Sequence, residues 1–130
     1  MKTTNKNNFK EFVEGVHMKY KPILGLQLWE HTIEICDEDN TADDTTIADI
    51  GQMQSYLRYK ITFYKIAKRL FEDDKEKLER IIIHELCHVL TEPLYVIART
   101  HCPPAEDCHV EKERERLTEI LSKFVYAKTK

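Results

Sequence analysis

The chain begins and ends with patterns that are typical of amphipathic helices. Between residues 5 and 20, apolar side chains recur mostly at spacings of three and four, at Phe9, Phe12, Val13, Val16 and Tyr20. This spacing predicts a helix that Pro22 ends. Residues 105–127 carry a second such pattern, with apolar positions at Val110, Leu117, Leu121 and Phe124. We expect this second stripe to pack on the core of the protein.

The central part of the chain favours strands. Residues 23–36, "ILGLQLWEHTIEIC", are rich in β-branched and aromatic side chains and predict a strand. An acidic, turn-forming stretch at 37–46 predicts a surface loop, and residues 47–53 predict a short strand. Residues 56–64 alternate between apolar and polar side chains, so they predict a strand with one buried and one solvent-exposed face.

A third helical pattern leads through "IIIHELCHVL", residues 81–90. Asp73 or Asp74 is a suitable N-cap, and Pro93 predicts the end of this helix. Residues 94–109 predict a connection that is broken by two prolines. The order of one helix, about three strands and two further helices predicts a single α+β domain that covers residues 1–130.

The composition excludes several classes of protein. Hydrophobic residues make up 42% and charged residues 33% of the chain, which is typical of a soluble globular protein. A net charge of −3, with basic and acidic residues mixed, argues against nucleic acid as a partner. The chain contains no run of 18 apolar residues, so no membrane span is predicted, and its first residues lack the apolar segment of a signal peptide. We therefore expect a cytoplasmic protein with reduced cysteines.

His84, Glu85 and His88 stand in the spacing H-E-x-x-H. On a helix, positions i and i+4 lie one turn apart on the same face, so both imidazoles can reach one ion. Glu85 would project beside the ion, where it can accept a proton from a water molecule that the ion binds. The pattern predicts a zinc hydrolase centre. The alternative is an ordinary amphipathic helix that carries these three residues by chance.

A catalytic zinc usually has three protein ligands, so a third ligand should lie downstream. The candidates are His101, Cys102, Cys108, His109, Glu111, Glu113 and Glu115. Glu111 and Glu115 lie one turn apart on the last helix, which suits one ligand and one carboxylate that orients a zinc histidine. Glu113, on the other flank of the apolar stripe, is the main rival.

The segments "IIIHELCHVLTEPL" and "EKERERL" resemble compact zinc metallopeptidases of phages and prophages, which are of the Glu-zincin type. The similarity covers roughly residues 24–125 and is strongest in the two helices. It implies that His84, His88 and Glu111 bind Zn²⁺, that Glu85 is the general base, and that Glu115 orients a ligand. The N-E-x-x-S-D signature of larger Glu-zincins is missing.

The expected activity is hydrolysis of a peptide or protein substrate, with residues 56–64 as an edge strand that aligns the peptide. Tyr95 and His101 are candidates for stabilising the oxyanion. Two alternatives remain open. A ligand from His101 or His109 would place the protein near the SprT-like proteases with three histidines, although their H-G-x-x-F context is absent. The metal could also stabilise a non-catalytic interaction domain. For Cys102 and Cys108 we expect free thiols, because C-x5-C matches no common zinc motif.

Overall fold

The computed structural model describes the backbone of residues 2–36, 46–53, 56–101 and 107–129, and it describes side chains from residue 8 in the first helix and from residue 109 in the last. The predicted loop at 37–46 therefore lies almost wholly outside the described residues. The elements, in chain order, are helix α1 (Lys2–Ile23), strands β1 (Glu30–Ile35), β2 (Ala48–Met53) and β3 (Arg58–Phe63), and helices α2 (Lys65–Asp73), α3 (Lys75–His101) and α4 (Asp107–Thr129). The predicted α+β class is confirmed, with a small mixed sheet and four helices in the described part.

The three strands form one sheet in the order β1-β3-β2. Strand β3 runs parallel to β1 and antiparallel to β2, with Ile61 opposite both Ile33 and Ile50. The prediction that residues 56–64 offer an edge was wrong, because β3 is the central strand and pairs on both sides. Within the described residues, the edge that borders α3 belongs to β2.

Helix α3 forms the centre of the core. The fully buried side chains of its inward face include Leu78, Ile82, Ile83 and Leu86. The apolar face of α1 and the inner face of β3 pack around it through Phe9, Val13, Tyr20, Tyr59, Ile61 and Phe63. Cys87 is a free, fully buried thiol, as expected of a small apolar side chain on this helix. The burial of this face fixes the rotation of α3 and therefore the direction of its opposite flank.

The turn after α1 depends on Gly25. This residue has a φ angle of +73°, in the left-handed region that glycine adopts without strain. Its N–H donates to the carbonyl of Pro22, and the N–H of Leu26 donates to that of Lys21, which closes the helix end. The prediction that residues 23–36 form one strand was therefore wrong, because β1 begins only at Glu30.

Helix α3 continues through Pro93 to His101, which corrects both the predicted end of the helix and the predicted connection from residue 94. Proline has no N–H to donate inside a helix, so local sequence favours a stop at this point. Contacts with α4 on both sides of Pro93 hold the helix together: Thr91 bonds Thr118, and the ring of Tyr95 packs on Arg114.

One helix among the described residues, α3, is long and apolar enough to cross a membrane by length and composition alone. Its first half forms the core of the fold, and core helices of soluble proteins pass the same test. The absence of a membrane span therefore stays a prediction.

Helix α4 is rotated relative to the prediction. Its buried residues are Thr118, Ser122 and Val125, whereas Leu117 and Phe124 of the predicted stripe are 45% and 59% exposed. Small polar side chains therefore occupy the face that packs on α3. This rotation decides which acidic residues of α4 reach the histidines.

A buried polar pair joins α1 to the sheet. His17 is 1% exposed, and its Nε2 lies 2.6 Å from the hydroxyl oxygen of Tyr59. Burial, and then the positive charges of His31 and Lys21, lower the pKa of His17 to about 4. His17 is therefore a neutral imidazole in the folded protein near pH 7.

Candidate metal centre

The helix that carries H-E-x-x-H is anchored at its start. Asp74 precedes α3, and its Oδ1 accepts a hydrogen bond of 3.1 Å from the N–H of Lys77, so Asp74 is the predicted N-cap. Two turns beyond Lys77, potential ligand atoms of His84, Glu85 and His88 lie within 4.8 Å of one another. The two imidazole rings are 4.9 Å apart and nearly perpendicular. The helical spacing thus brings the three predicted residues together.

Glu115 of α4 faces both histidines. One carboxylate oxygen lies 3.4 Å from Nε2 of His84, and the other lies 3.4 Å from Nε2 of His88. Tetrahedral zinc with ligand bonds of about 2.0–2.2 Å separates its ligand atoms by about 3.3–3.5 Å. The two distances, which different carboxylate oxygens make, lie near that separation, so Glu115 stands where a carboxylate could join the two imidazole nitrogens as a ligand.

Glu111, the residue predicted as third ligand, is not at this position. Its side chain is 59% exposed, and its carboxylate lies 3.5 Å from the guanidinium of Arg114. Glu113, the main rival, pairs with Arg116 at 3.2 Å. Glu115 stands one turn further along the same flank as Glu111. The rotation and docking of α4, which its apolar pattern did not reveal, bring that later turn to the histidines.

Glu119 has the role that the sequence had suggested for Glu115. Its Oε2 lies 2.8 Å from Nδ1 of His84, a distance at which the ring N–H donates to the carboxylate. A hydrogen bond at Nδ1 leaves the lone pair of Nε2 directed toward Glu115. Sequence reasoning missed Glu119, although its spacing of four from Glu115 was a usable signal.

Thr118 plays the corresponding part for His88. The Thr118 hydroxyl donates to the carbonyl of Arg114 at 2.8 Å, so its oxygen can only accept elsewhere. The Thr118 oxygen lies 3.5 Å from Nδ1 of His88 and 2.9 Å from the hydroxyl oxygen of Thr91. This arrangement favours a proton on Nδ1 of His88 and a lone pair on Nε2, the form that a metal requires.

Glu85 is largely buried and has two acidic neighbours. Burial is the main cause that raises its pKa to about 8, and the charges of Glu115 and Asp49 add to the effect, while Arg114 opposes it. Burial also lowers the pKa of His88. A cation between these groups would favour the ionised form of Glu85. The charge distribution therefore suits a bound cation.

Two cavities flank Glu85 and share Ala48 of β2. The larger, of about 760 Å³, lies on the His84 side and is lined in part by Ile47, Ile81 and the cationic residues Lys77, Arg80 and Lys123. The smaller, of about 340 Å³, lies on the His88 side, and its lining includes residues 48–52 of β2 together with Glu92 and Arg114. The candidate site thus opens on both sides along the edge of β2.

The remaining candidate ligands are not brought to the histidines in the described part of the chain. His101 ends α3, thirteen positions after His88, which corresponds to about 20 Å along a helix. His109 is exposed and borders a separate groove between α3 and α4. The side chains of Cys102 and Cys108 lie outside the described residues. Of the two oxyanion candidates, Tyr95 packs its ring against Arg114 and His101 lies at the far end of α3.

Comparisons of the chain with models of protein families, with curated proteins and with solved structures found no match. The geometry of the described residues therefore has to carry the argument about function.

Proposed function

We propose that the protein is a zinc-dependent peptidase in which His84, His88 and Glu115 hold the metal and Glu85 is the general base. This proposal keeps the zincin-like arrangement that the sequence suggested and moves the third ligand by one helical turn. The observation that supports it most directly is the pair of 3.4 Å distances from the Glu115 carboxylate to the two Nε2 atoms. Hydrogen bonds at both Nδ1 atoms support the same assignment.

Zinc at this position would act as a Lewis acid that polarises a water molecule and the scissile carbonyl. Glu85 takes a proton from the attacking water and passes it to the nitrogen of the leaving amine. Glu119 and Thr118 hold the two imidazole rings in the orientation that directs Nε2 to the site. Between the two cavities, Glu85 lies where a peptide passing along β2 would present its carbonyl.

The open edge of β2 is suited to align that peptide. The N–H of Tyr64 donates to the carbonyl of Ile47 at 3.0 Å, which sets the alternation of the antiparallel pair. Ala48 and Ile50 therefore direct their backbone groups away from β3 and toward the open edge. An extended peptide could add to this edge by backbone hydrogen bonds beside Glu85.

Replacement of Glu85 by glutamine tests the activity. Zinc content is measured by elemental mass spectrometry and hydrolysis is followed in a mixture of unstructured peptides, with Glu111→Gln as a matched control on the exposed surface. We expect wild type and Glu111→Gln to bind one zinc and cut peptides, and Glu85→Gln to bind zinc without cutting. Equal turnover in Glu85→Gln would rule out the proposed base. Zinc binding that supports folding with no hydrolysis by the wild type would favour the non-catalytic interaction domain.

A further inference from the structure

The larger cavity has an unusual distribution of charge for a site built around acidic residues. Lys77 and Arg80 of α3 and Lys123 of α4 line it, together with the apolar side chains of Ile47 and Ile81. Within the described part of the chain, Lys77 and Arg80 form no ion pair, and Lys123 lies 4.0 Å from Glu119. Among the cavity's described lining residues, these three cations outnumber the two acidic residues, Glu85 and Glu119, and Glu119 also accepts a hydrogen bond from His84.

The distance of these cations from the reacting position suits recognition of a neighbouring residue. Arg80 precedes His84 by four positions, so the two lie one turn apart on the same flank of α3, with Cβ atoms about 5–6 Å apart. One residue of an extended peptide spans about 3.3–3.6 Å. A side chain or terminal group one residue away from the cut bond can therefore reach Arg80. The ring of Tyr126 lies under the Arg80 guanidinium at 5.6 Å and helps to hold it.

The smaller cavity has the opposite character. Asp49, Glu85 and Glu92 line it, and Arg114 is the one cation among its described lining residues. Strand β2 runs from the basic cavity toward this acidic one, since Thr46 to Ala48 border the first and Ala48 to Gln52 border the second. A peptide with its C-terminal side in the basic cavity would run antiparallel to β2, the slightly more stable form of strand pairing.

From these observations we propose that the basic cavity binds a carboxylate on the C-terminal side of the cut bond, either from an Asp or Glu side chain or from the end of the peptide. This inference rests on the proposed peptidase function and adds a substrate class to it. Lys77 and Arg80 are the residues that select the carboxylate, and the apolar walls around Ile81 hold the aliphatic part of the same residue.

The test uses short alanine-based peptides that differ only in one residue, Glu, Gln or Lys, each with a free and with an amidated C-terminus. Cleavage by zinc-loaded wild type is compared with Lys77→Gln/Arg80→Gln and with Lys112→Gln, which changes an exposed lysine of α4 outside both cavities. We expect carboxylate peptides to exceed neutral ones in kcat/KM by about tenfold or more, the effect of a charge-assisted hydrogen bond. Mass spectrometry should locate the carboxylate on the C-terminal side of the cut. Weaker cleavage of all three peptides on amidation identifies the terminal carboxylate, and a preference for Glu over Gln that persists in the amidated series identifies the side chain.

A binding measurement separates this inference from the proposed function. Fluorescence anisotropy of the same peptides with zinc-loaded Glu85→Gln, with and without Lys77→Gln/Arg80→Gln, reports recognition without turnover. If Glu peptides bind more tightly than Gln peptides, and this difference depends on Lys77 and Arg80, the inference is supported even if wild type cuts no peptide. The lack of cutting would then refute only the peptidase function. Equal cleavage or binding of the Glu, Gln and Lys peptides by wild type, in both the free and the amidated series and without any loss on amidation, overturns the inference and leaves the peptidase in place.

Discussion

Replacement of Glu115 by glutamine distinguishes a metal centre from an ion-pair network between α3 and α4. Glutamine keeps the size of the side chain and removes its charge, and Glu111→Gln makes the same change one turn earlier on the same flank. Structural zinc in small peptides binds with about 10–16 kcal/mol through four ligands, so one ligand accounts for on the order of 2.5–4 kcal/mol. This corresponds to a loss of about two to three orders of magnitude in zinc affinity.

For Glu111→Gln we expect zinc affinity within about threefold of wild type, because Glu111 is 59% exposed and pairs with Arg114, and exposed ion pairs contribute little. The assay is a competition titration with a chromophoric zinc chelator at constant pH. Circular dichroism of the metal-free proteins serves as the control for folding. The 3.4 Å contacts of Glu115 with both Nε2 atoms are the basis of the expected difference.

Two results would refute this reasoning. A large loss in Glu111→Gln with none in Glu115→Gln would show that α4 is docked one turn away from the position described. Equal zinc affinity in all three proteins, with Glu115→Gln destabilised in the metal-free state, would show that Glu115 serves only as an ionic partner of the histidines.

Three further predictions concern the supports of the site and the fold. In the same titration, Glu119→Gln and Thr118→Val should each weaken zinc binding by about 10–100-fold with Glu115 intact, because each removes a hydrogen bond that orients a histidine. Unchanged affinity in both variants would contradict the proposed ring orientations. Since the folded-state pKa of His17 is lowered to about 4 from 6.5, its contribution to stability is present above pH 6.5 and is lost as the pH falls toward 4. The shift corresponds to at most about 3 kcal/mol. Urea unfolding of the metal-free proteins should therefore show a smaller loss of stability between pH 6.5 and 4 in His17→Gln than in wild type, and parallel pH profiles would contradict this expectation. Gly25→Ala should lower the free energy of unfolding by about 1–2 kcal/mol, because alanine is strained at a φ angle of +73°. An unchanged urea midpoint would show that the turn changes its backbone conformation to accommodate alanine.

The types of the main elements could be predicted from hydrophobic periodicity, except for the short helix α2, which was not predicted, and several element ends could not be predicted either. Pro93 is a strong local signal for a helix end, yet tertiary contacts of Thr91 and Tyr95 with α4 extend α3 beyond it. The late start of β1, by contrast, has a local signal in Gly25. A glycine just after a helical pattern predicts a left-handed helix end rather than the middle of a strand.

The candidate site shows the same division between local and long-range information. His84, Glu85 and His88 lie within five residues of one helix, so their relative positions follow from helical geometry. The partner on α4 depends on how two helices dock, and apolar periodicity gave the wrong rotation for α4. Thr118 and Ser122 were the better signal, because small side chains at spacing four permit a close approach between helices.

The polar centre of the interface between α3 and α4 links the fold to the proposed metal. Thr91 and Thr118 bond each other at 2.9 Å where two apolar side chains could pack, and they stand beside His88 and Glu115. Such a polar pair stabilises an interface only modestly, by about 0.5–1.5 kcal/mol per hydrogen bond. A zinc ion held by His84, His88 and Glu115 would join the two helices at this point and stabilise the fold by about 2.7 kcal/mol at a free concentration one hundred times its Kd. The same threonines keep His88 oriented and the helices close, so the residues that weaken apolar packing here are the ones that the proposed centre requires.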